Sequence, residues 1–306
     1  MALPRFIASA ALGAAAICLL GPGAAQAHGF AGARFFPATI LTDDPFVADE
    51  LSLPTVTRAP SDRDGTQEID LDWDLSKRIT PDLGISLGQG WKYLQPRGVP
   101  AVSGLDALHA GIAYQFFKSA AHEATALIGL NANFAHTGRV QALGADDFTT
   151  LTPAFNFGKG MGDLPGSLSW LRPIAVTGNL GIDFPTKSTS AGSPNPNNLN
   201  YGFAFEYSLE YLQHQVKDVG LKPPFDRLIP LVEVAFTTGL NRGQAGQTVG
   251  TVQPGIIWAG KYFQIAAEAI IPVTRATGRG FGGVVQLHFY LDDIFPGSLG
   301  RPLFAD

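Results

Sequence analysis

Residues 200–212 alternate in polarity as far as Tyr211, and this pattern constrains the fold more than any other feature of the chain. The odd positions from Tyr201 to Tyr211 are aromatic or aliphatic, whereas the even positions up to Glu210 are small or polar. A period of two predicts a β-strand with one apolar face and one polar face. At about 3.3 Å per residue the two tyrosines would stand about 33 Å apart. A tilt of about 40° projects this length to about 25 Å, the height of the apolar band of an outer-membrane barrel. The stretch therefore predicts a spanning strand with tyrosines at both lipid–water boundaries.

Similar amphipathic stretches recur along the chain, and most are close to the 9–11 residues of a tilted spanning strand. We predict an all-β fold, a transmembrane antiparallel up-and-down β-barrel of about 12 strands preceded by a signal peptide. The other predicted strands are residues 49–57, 68–75, 83–93, 107–116, 123–134, 150–157, 172–184, 228–240, 249–259, 262–273 and 281–290.

The connections between these strands alternate between long polar loops and tight turns, as in outer-membrane barrels. Two connections on the short side, residues 158–170 and 213–226, are as long as the loops and are expected to hold short helices. Three prolines inside predicted strands, Pro153, Pro230 and Pro254, cannot donate ladder hydrogen bonds. They are expected at bulges, strand ends or local gaps in the wall.

The N-terminal residues predict an exported protein. Arg5, the apolar run 6–20 and Ala-Gln-Ala at 25–27 have the pattern of a signal peptide, which we assign to residues 1–27. Residues 28–46 have no clean period and are expected to form an irregular periplasmic arm or a plug in the lumen. The barrel is then assigned to residues 47–291 and a C-terminal tail to residues 292–306.

Composition argues against several classes of function. Charged residues make up 15% of the chain, below the roughly 25% of soluble domains, and the net charge of -5 gives no reason to expect nucleic-acid binding. The single cysteine, Cys18, lies in the signal peptide. The histidines lack the spacing of a zinc site, and no Gly-x-Ser-x-Gly motif occurs. We therefore expect no cofactor, no metal site, no catalytic residues and no enzymatic activity, and we interpret His122 and Glu123 as a solvated turn.

Polar residues on the faces opposite the apolar ones become candidates for lining the lumen. The second strand places three aspartates in one row, and the strand at 200–212 contributes two glutamates that could join Glu233 in an acidic patch. Carboxylates in a pore select cations or hold a polar solute, although any water-filled lumen is polar. The candidate lumen or solute-binding residues are Asp70, Asp72, Asp74, Asn179, Asp183, Glu206, Glu210, Glu233, Glu268 and His288.

Four stretches carry a family resemblance: residues 155–159, 227–233, 254–258 and 286–293. Together with the signal peptide and the amphipathic strands, they resemble uncharacterised Gram-negative outer-membrane β-barrels. The chain is similar to the proposed transporter barrels associated with phenol-degradation pathways. The resemblance implies an outer-membrane channel or uptake role and assigns no functional residues. One departure is that the chain continues beyond Tyr290 to Asp306, with Phe304 near the end, whereas such barrels commonly end on an aromatic residue.

These observations predict a channel or uptake pore for a small solute in the cell outer membrane. The expected partners are outer-membrane lipid, the small-molecule solute and the barrel-assembly machinery. Two alternatives remain open from the sequence: a lipid hydrolase on a 12-stranded outer-membrane barrel, and a soluble periplasmic β-protein that binds an apolar ligand. The soluble alternative differs from the two barrel hypotheses in what covers the apolar strand faces. Lipid covers them in a membrane barrel, and protein covers them in a soluble sandwich.

Overall fold

Twelve antiparallel strands form a closed barrel in the computed structural model, which describes residues 29–42, 44–61, 65–138, 143, 147–190, 192–274 and 276–304. The predicted signal peptide and His28 lie outside these residues. Each strand pairs with its neighbours in the chain, and β1 pairs with both β2 and β12, which closes the ring. The strands are β1 (Glu50–Arg58), β2 (Gln67–Arg78), β3 (Leu83–Gln95), β4 (His109–Ser119), β5 (Ala124–Asn133), β6 (Thr150–Gly160), β7 (Ile174–Pro185), β8 (Asn198–Tyr207), β9 (Leu228–Gly239), β10 (Thr248–Ala259), β11 (Phe263–Pro272) and β12 (Gly282–Tyr290).

The apolar faces of the strands point outward, away from the barrel interior. Phe205 is 51% exposed and Ile128 is 51% exposed, whereas Glu206 is 3% exposed on the opposite face of β8. This orientation confirms the predicted fold class and contradicts a soluble fold that buries the apolar faces. No helix in the described part of the chain is long and apolar enough to cross a membrane.

The strand prolines lie where pairing with one neighbour lapses, as predicted. At Pro153 two residue pairs between β6 and β7 are missing, and at Pro254 two pairs between β10 and β11 are missing, without a change of register. Pro230 lies just past the last pair between β8 and β9. Pro54 lies at the irregularity between β1 and β2. Because proline has no backbone N–H, these positions leave no donor without its partner.

The prediction for residues 200–212 is wrong at its C-terminal end. The strand β8 stops at Tyr207, and a short α-helix (Leu209–Tyr211) and a π-helical turn (Leu212–Val216) follow. The reason is a helix cap: the Ser208 hydroxyl accepts a hydrogen bond from the backbone N–H of Tyr211 at 3.1 Å. Tyr211 is therefore buried at the end of the barrel where β8 stops. Glu210 is exposed on the helix instead of facing the lumen.

Smaller elements complete the connections. The two long connections on the short-turn side contain short helices, as predicted: a 3-10 helix at Gly166–Leu171, the turns after β8, and a 3-10 helix at Phe225–Arg227. A four-residue strand, Val102–Leu105, pairs with residues 91–94 near the C-terminal end of β3. Short two-stranded ribbons occur at Phe30–Ala31 with Arg34–Phe35 and at Thr189–Ser190 with Ser193–Pro194, and a last helix covers Leu291–Ile294.

Candidate functional site

Residues 29–42 and 44–49, which we call the inner segment, pass inside the barrel before β1 begins. Its side chains are largely buried, with Phe36 at 1% and Thr42 at 1% exposure. The segment packs against the inward faces of the wall, and one apolar contact cluster joins Ala31, Phe36 and Phe46 to Ala175 of β7. The inner segment therefore fills part of the lumen, and the space that remains lies between it and the wall.

Glu233 of β9 holds the middle of the inner segment. Its carboxylate accepts hydrogen bonds from the backbone N–H groups of Ile40, Leu41 and Thr42 at 2.9, 3.0 and 2.8 Å, and from the Thr42 hydroxyl at 3.2 Å. Glu233 itself is 0% exposed. Four donors from three consecutive residues thus converge on one buried side chain. Glu233 therefore serves as an anchor for the inner segment.

Arg34 fixes the beginning of the inner segment at the end of the barrel that carries the β4–β5 turn. Its Nε donates to Glu123 at 3.2 Å, its Nη1 donates to the Pro173 carbonyl at 2.9 Å, and its Nη2 donates to the Arg172 carbonyl. The guanidinium carbon also lies 3.7 Å from the centroid of the Tyr211 ring. With Arg34 at 1% exposure, this is a buried ion pair with its remaining donors satisfied.

Glu123 completes this cluster and corrects the interpretation of the 122–123 turn as solvated. The Glu123 carboxylate accepts from the Tyr211 hydroxyl at 2.7 Å and from the backbone N–H of Gly162 at 3.1 Å. Burial, helped by the Glu123 charge, raises the pKa of Tyr211 to about 12, so the phenol keeps its proton and donates it to this bond. Of the two residues in this turn, His122 is exposed and Glu123 is buried, with an exposed fraction of 6%.

The space that the inner segment leaves open contains two neighbouring cavities. The outer cavity has a volume of about 600 Å³ and lies between the outer ends of β2 to β8. The inner cavity, of about 450 Å³, lies between the inner segment and the wall formed mainly by β2 to β6. His109 and Asn133 line both cavities. The cavities therefore adjoin at the level of these two residues.

The predicted aspartates of β2 lie along this space. Asp72 lines the outer cavity and Asp74 lines the inner one, while Asp70 lies 3.7 Å from the Lys92 ammonium. His109 Nε2 lies 2.5 Å from Asp74 Oδ1, directly above Gly88. A Cβ on Gly88 would overlap both side chains, so glycine is required for this close approach.

Two charged residues of the outer cavity, Lys92 and Asp106, were not among the residues predicted from the sequence. Lys92 of β3 donates to Glu68 at 2.7 Å and lies 3.4 Å from Asp106. The signal that could have identified Lys92 is the inward face of β3, where it follows glycines at 84, 88 and 90 and Ser86 at alternate positions. The signal for Asp106 is weaker, because it lies in a loop without periodicity.

The remaining predicted site residues occupy different parts of the interior. Asp183 lines the outer cavity and accepts a hydrogen bond from the Thr152 hydroxyl at 2.7 Å. His288 lines the inner cavity, where its Nδ1 lies 2.9 Å from the Ser52 hydroxyl and its Nε2 lies 3.4 Å from Glu50. Asn179 lies opposite Asn156 on neighbouring strands. The structure thus separates the predicted residues into several groups along the lumen.

Glu206 lies near Glu233, as expected from the sequence, and Glu268, which was not expected in the acidic patch, also lies near Glu233. Glu206 is 3% exposed, with the Thr177 hydroxyl 3.5 Å from its carboxylate, and Glu268 is 5% exposed with no hydrogen-bond donor at either oxygen. Glu210, the other glutamate expected in this patch, is not part of it, because it is exposed on the helix after β8. None of these glutamates lines either cavity.

Asp44 of the inner segment lines the inner cavity beside Glu50. Enclosure by the surrounding wall raises the pKa of Asp44 well above its usual value of 3.8, and the negative charge of Glu50 raises it further. Among the described residues, no group of three or more His, Cys, Asp or Glu side chains could hold a metal ion. The two cavities present hydrogen-bonding and charged side chains to whatever molecule enters them.

Comparisons with known proteins identify the fold. No family model matches the chain, and no curated protein matches it. Among solved structures, the chain is similar to the COG4313 outer membrane channel from Pseudomonas putida F1, with 10% sequence identity, a TM-score of 0.54, and coverage of 83% of this chain and 99% of that one. The NanC porin matches with 7% identity and a TM-score of 0.47, covering 78% of this chain and 97% of the porin. The chain has the fold of an outer-membrane barrel channel, and its apolar outer face places the barrel in a lipid bilayer.

Proposed function

We propose that this barrel is an outer-membrane channel or uptake pore for a small solute, whose path is lined by acidic and amide side chains. The observation that carries the proposal is the pair of adjoining cavities along the β2–β6 wall, with volumes of about 600 and 450 Å³. Barrels of about eight strands are filled by side chains and those of 16 or more leave an open pore, so 12 strands with an inner segment suit a narrow path.

The charges along the path favour a polar or cationic solute. Among the described residues that line the outer cavity are Asp72, Asp106 and Asp183, one lysine, Lys92, and His109. Lys92 is already engaged by Glu68 and Asp106. An excess of carboxylates in a pore with low-dielectric walls raises the local concentration of cations. The identity of the solute, and the association with phenol degradation that the sequence resemblance implies, stay predictions.

The inner segment restricts this path in our proposal. Deleting residues 29–46 should increase the single-channel conductance in planar lipid bilayers, because the space between the barrel walls would become continuous. Heat-modifiable gel mobility should first establish that the shortened protein still forms the barrel. Conductance equal to that of the full-length protein would contradict a restricting role for the segment.

The chain also presents a tail after the last strand. Residues 291–304 fold back against the β2–β3 turn, where the backbone N–H groups of Leu303 and Phe304 donate to the carbonyls of Arg78 and Ile79. We propose the barrel-assembly machinery as a partner, recognising β12 or the exposed Phe304, which is 71% exposed. Replacing Phe304 with alanine and measuring the folded fraction in outer membranes distinguishes these two signals.

A further inference from the structure

The inner cavity is enclosed on one side by the inner segment and on the other by the wall. Its volume of about 450 Å³ lies within the range of about 300–1,000 Å³ that is typical of small-molecule sites. Both strand residues and the inner segment line it, so a bound solute would contact the wall and the inner segment at the same time.

Two side chains that line this cavity have acceptor atoms without a partner. Asn156 is 5% exposed and Gln286 is 7% exposed, and neither Asn156 Oδ1 nor Gln286 Oε1 receives a hydrogen bond. A buried polar atom without a hydrogen-bond partner is costly, so buried polar atoms generally have one. Acceptors on opposite sides of one cavity call for an occupant that donates hydrogen bonds.

The charged groups facing the cavity point to a positively charged donor. Three carboxyl groups line it, those of Asp44, Glu50 and Asp74, and among the described lining residues there is no lysine or arginine. The facing basic groups are the imidazoles of His109 and His288, which lie beside Asp74 and Glu50. Among the described lining residues, the carboxyl groups therefore outnumber the basic groups.

Apolar side chains complete the lining. Phe46 and Val47 of the inner segment face the cavity together with Leu127 of β5, and all three are buried. They provide contact for a hydrocarbon body between the polar groups.

We infer that the inner cavity is a binding site for a small organic cation, a hydrocarbon body carrying ammonium groups held by Asp74, Glu50, Asn156 and Gln286. This inference rests on the proposed channel function and names the class of solute. Ammonium groups donate three hydrogen bonds and form charge-assisted bonds with carboxylates, which are stronger than those between neutral groups.

Isothermal titration calorimetry on the purified full-length protein in detergent tests the site directly. The probes are 1,6-diaminohexane, 1,6-hexanediol and adipate, which share a six-carbon chain and differ in charge. We expect the diamine to bind and the diol and the dicarboxylate to bind at least tenfold more weakly. The substitutions Asp74→Asn and Asn156→Ala should each weaken diamine binding by about tenfold, which corresponds to the loss of one charge-assisted hydrogen bond.

Matched variants outside both cavities serve as controls. Asp218→Asn and Asn241→Ala remove the same groups from loop positions that line neither cavity. They should leave diamine affinity within about twofold, and heat-modifiable mobility establishes that each variant is folded. Equal binding of diamine and diol, absence of diamine binding, or equal effects of the cavity variants and the loop variants would each overturn the inference. Because calorimetry requires no ion conduction, a barrel that binds the diamine but carries no current would contradict the proposed channel function alone.

Discussion

At the scale of single residues, the lumen is organised by a few buried carboxylates that bind groups far away in sequence. Glu233 receives four hydrogen-bond donors from residues 40–42, and Glu123 receives donors from Arg34, Gly162 and Tyr211. Each of these carboxylates would be costly inside the barrel without its donors. The inner segment and the wall therefore depend on each other for satisfied polar groups.

The first residue-scale prediction concerns the anchor at Glu233. Glu233→Gln should weaken docking of the inner segment by about 1–3 kcal/mol, since it replaces one carboxylate oxygen by an NH2 donor and leaves buried backbone N–H groups of residues 40–42 without an acceptor. We expect faster cleavage within residues 36–46 by an added protease and a higher channel conductance.

Glu210→Gln is the matched control for this change. Glu210 is exposed outside the lumen, so its substitution should change neither proteolysis nor conductance. Equal behaviour of the two variants would show that Glu233 does not anchor the segment.

The second residue-scale prediction concerns pH. The pKa of Asp44 is raised when the inner segment is docked, so docking is most favourable below the usual pKa of 3.8 and weakens as pH rises through the raised value. The facing acidic groups, Glu50 and Glu206, add to this effect because each adds negative charge near Asp44. Conductance measured across a pH series should therefore increase with pH, and Asp44→Asn should flatten this part of the profile. An unchanged profile in the variant would assign the pH dependence to other groups.

At the scale of elements, the inner segment behaves as a chain fastened at separate points along the barrel. Arg34 fixes its beginning, Glu233 its middle, and Asp49 its end, where the Asp49 carboxylate accepts from Lys77 Nζ at 2.7 Å and from Arg78 Nε at 2.9 Å. Because the fastening points are independent, loss of one is expected to release a part of the segment and leave the barrel folded.

A prediction at this scale uses Arg34→Met, which removes the buried ion pair and leaves Glu123 without its charged partner. Breaking one side of a buried pair typically costs about 3–5 kcal/mol, so the ribbon at residues 30–35 should detach. Hydrogen exchange should show loss of protection at the Phe36 N–H, which donates to the Gly29 carbonyl at 2.8 Å. Arg97→Met, in an exposed loop, is the control, and protection that persists in both variants would contradict the role of Arg34.

At the scale of the whole molecule, the outward apolar belt requires lipid around the barrel. An arginine on the lipid face of a barrel costs about 2–4 kcal/mol near the bilayer midplane and far less near the interfaces. Ile128→Arg, in the middle of β5, should therefore lower the free energy of unfolding in lipid vesicles by about 2–4 kcal/mol. Leu240→Arg, at an exposed apolar position beyond the end of β9, should have an effect below 1 kcal/mol. Similar effects of the two substitutions would argue that the belt does not face lipid.

The strands were predictable from the sequence because each one repeats the same local requirement. An outward apolar residue and an inward polar one must alternate wherever lipid lies on one side of the wall, so Leu71 and Asp72 show the pattern without reference to any other strand. The end of β8 was not predictable in this way. Leu209 and Tyr211 continue the alternation by coincidence, and only the cap at Ser208 ends the strand.

The sequence by itself determined the number of strands, the lipid-facing side and the acidic row of β2, because a period of two is written locally in every strand. Only the tertiary structure decided the course of the inner segment, the burial of Glu123 with Arg34, and the division of the polar residues between two cavities and a buried patch. These features depend on side chains that lie far apart in the chain, such as Thr42 and Glu233, and meet only when the barrel closes.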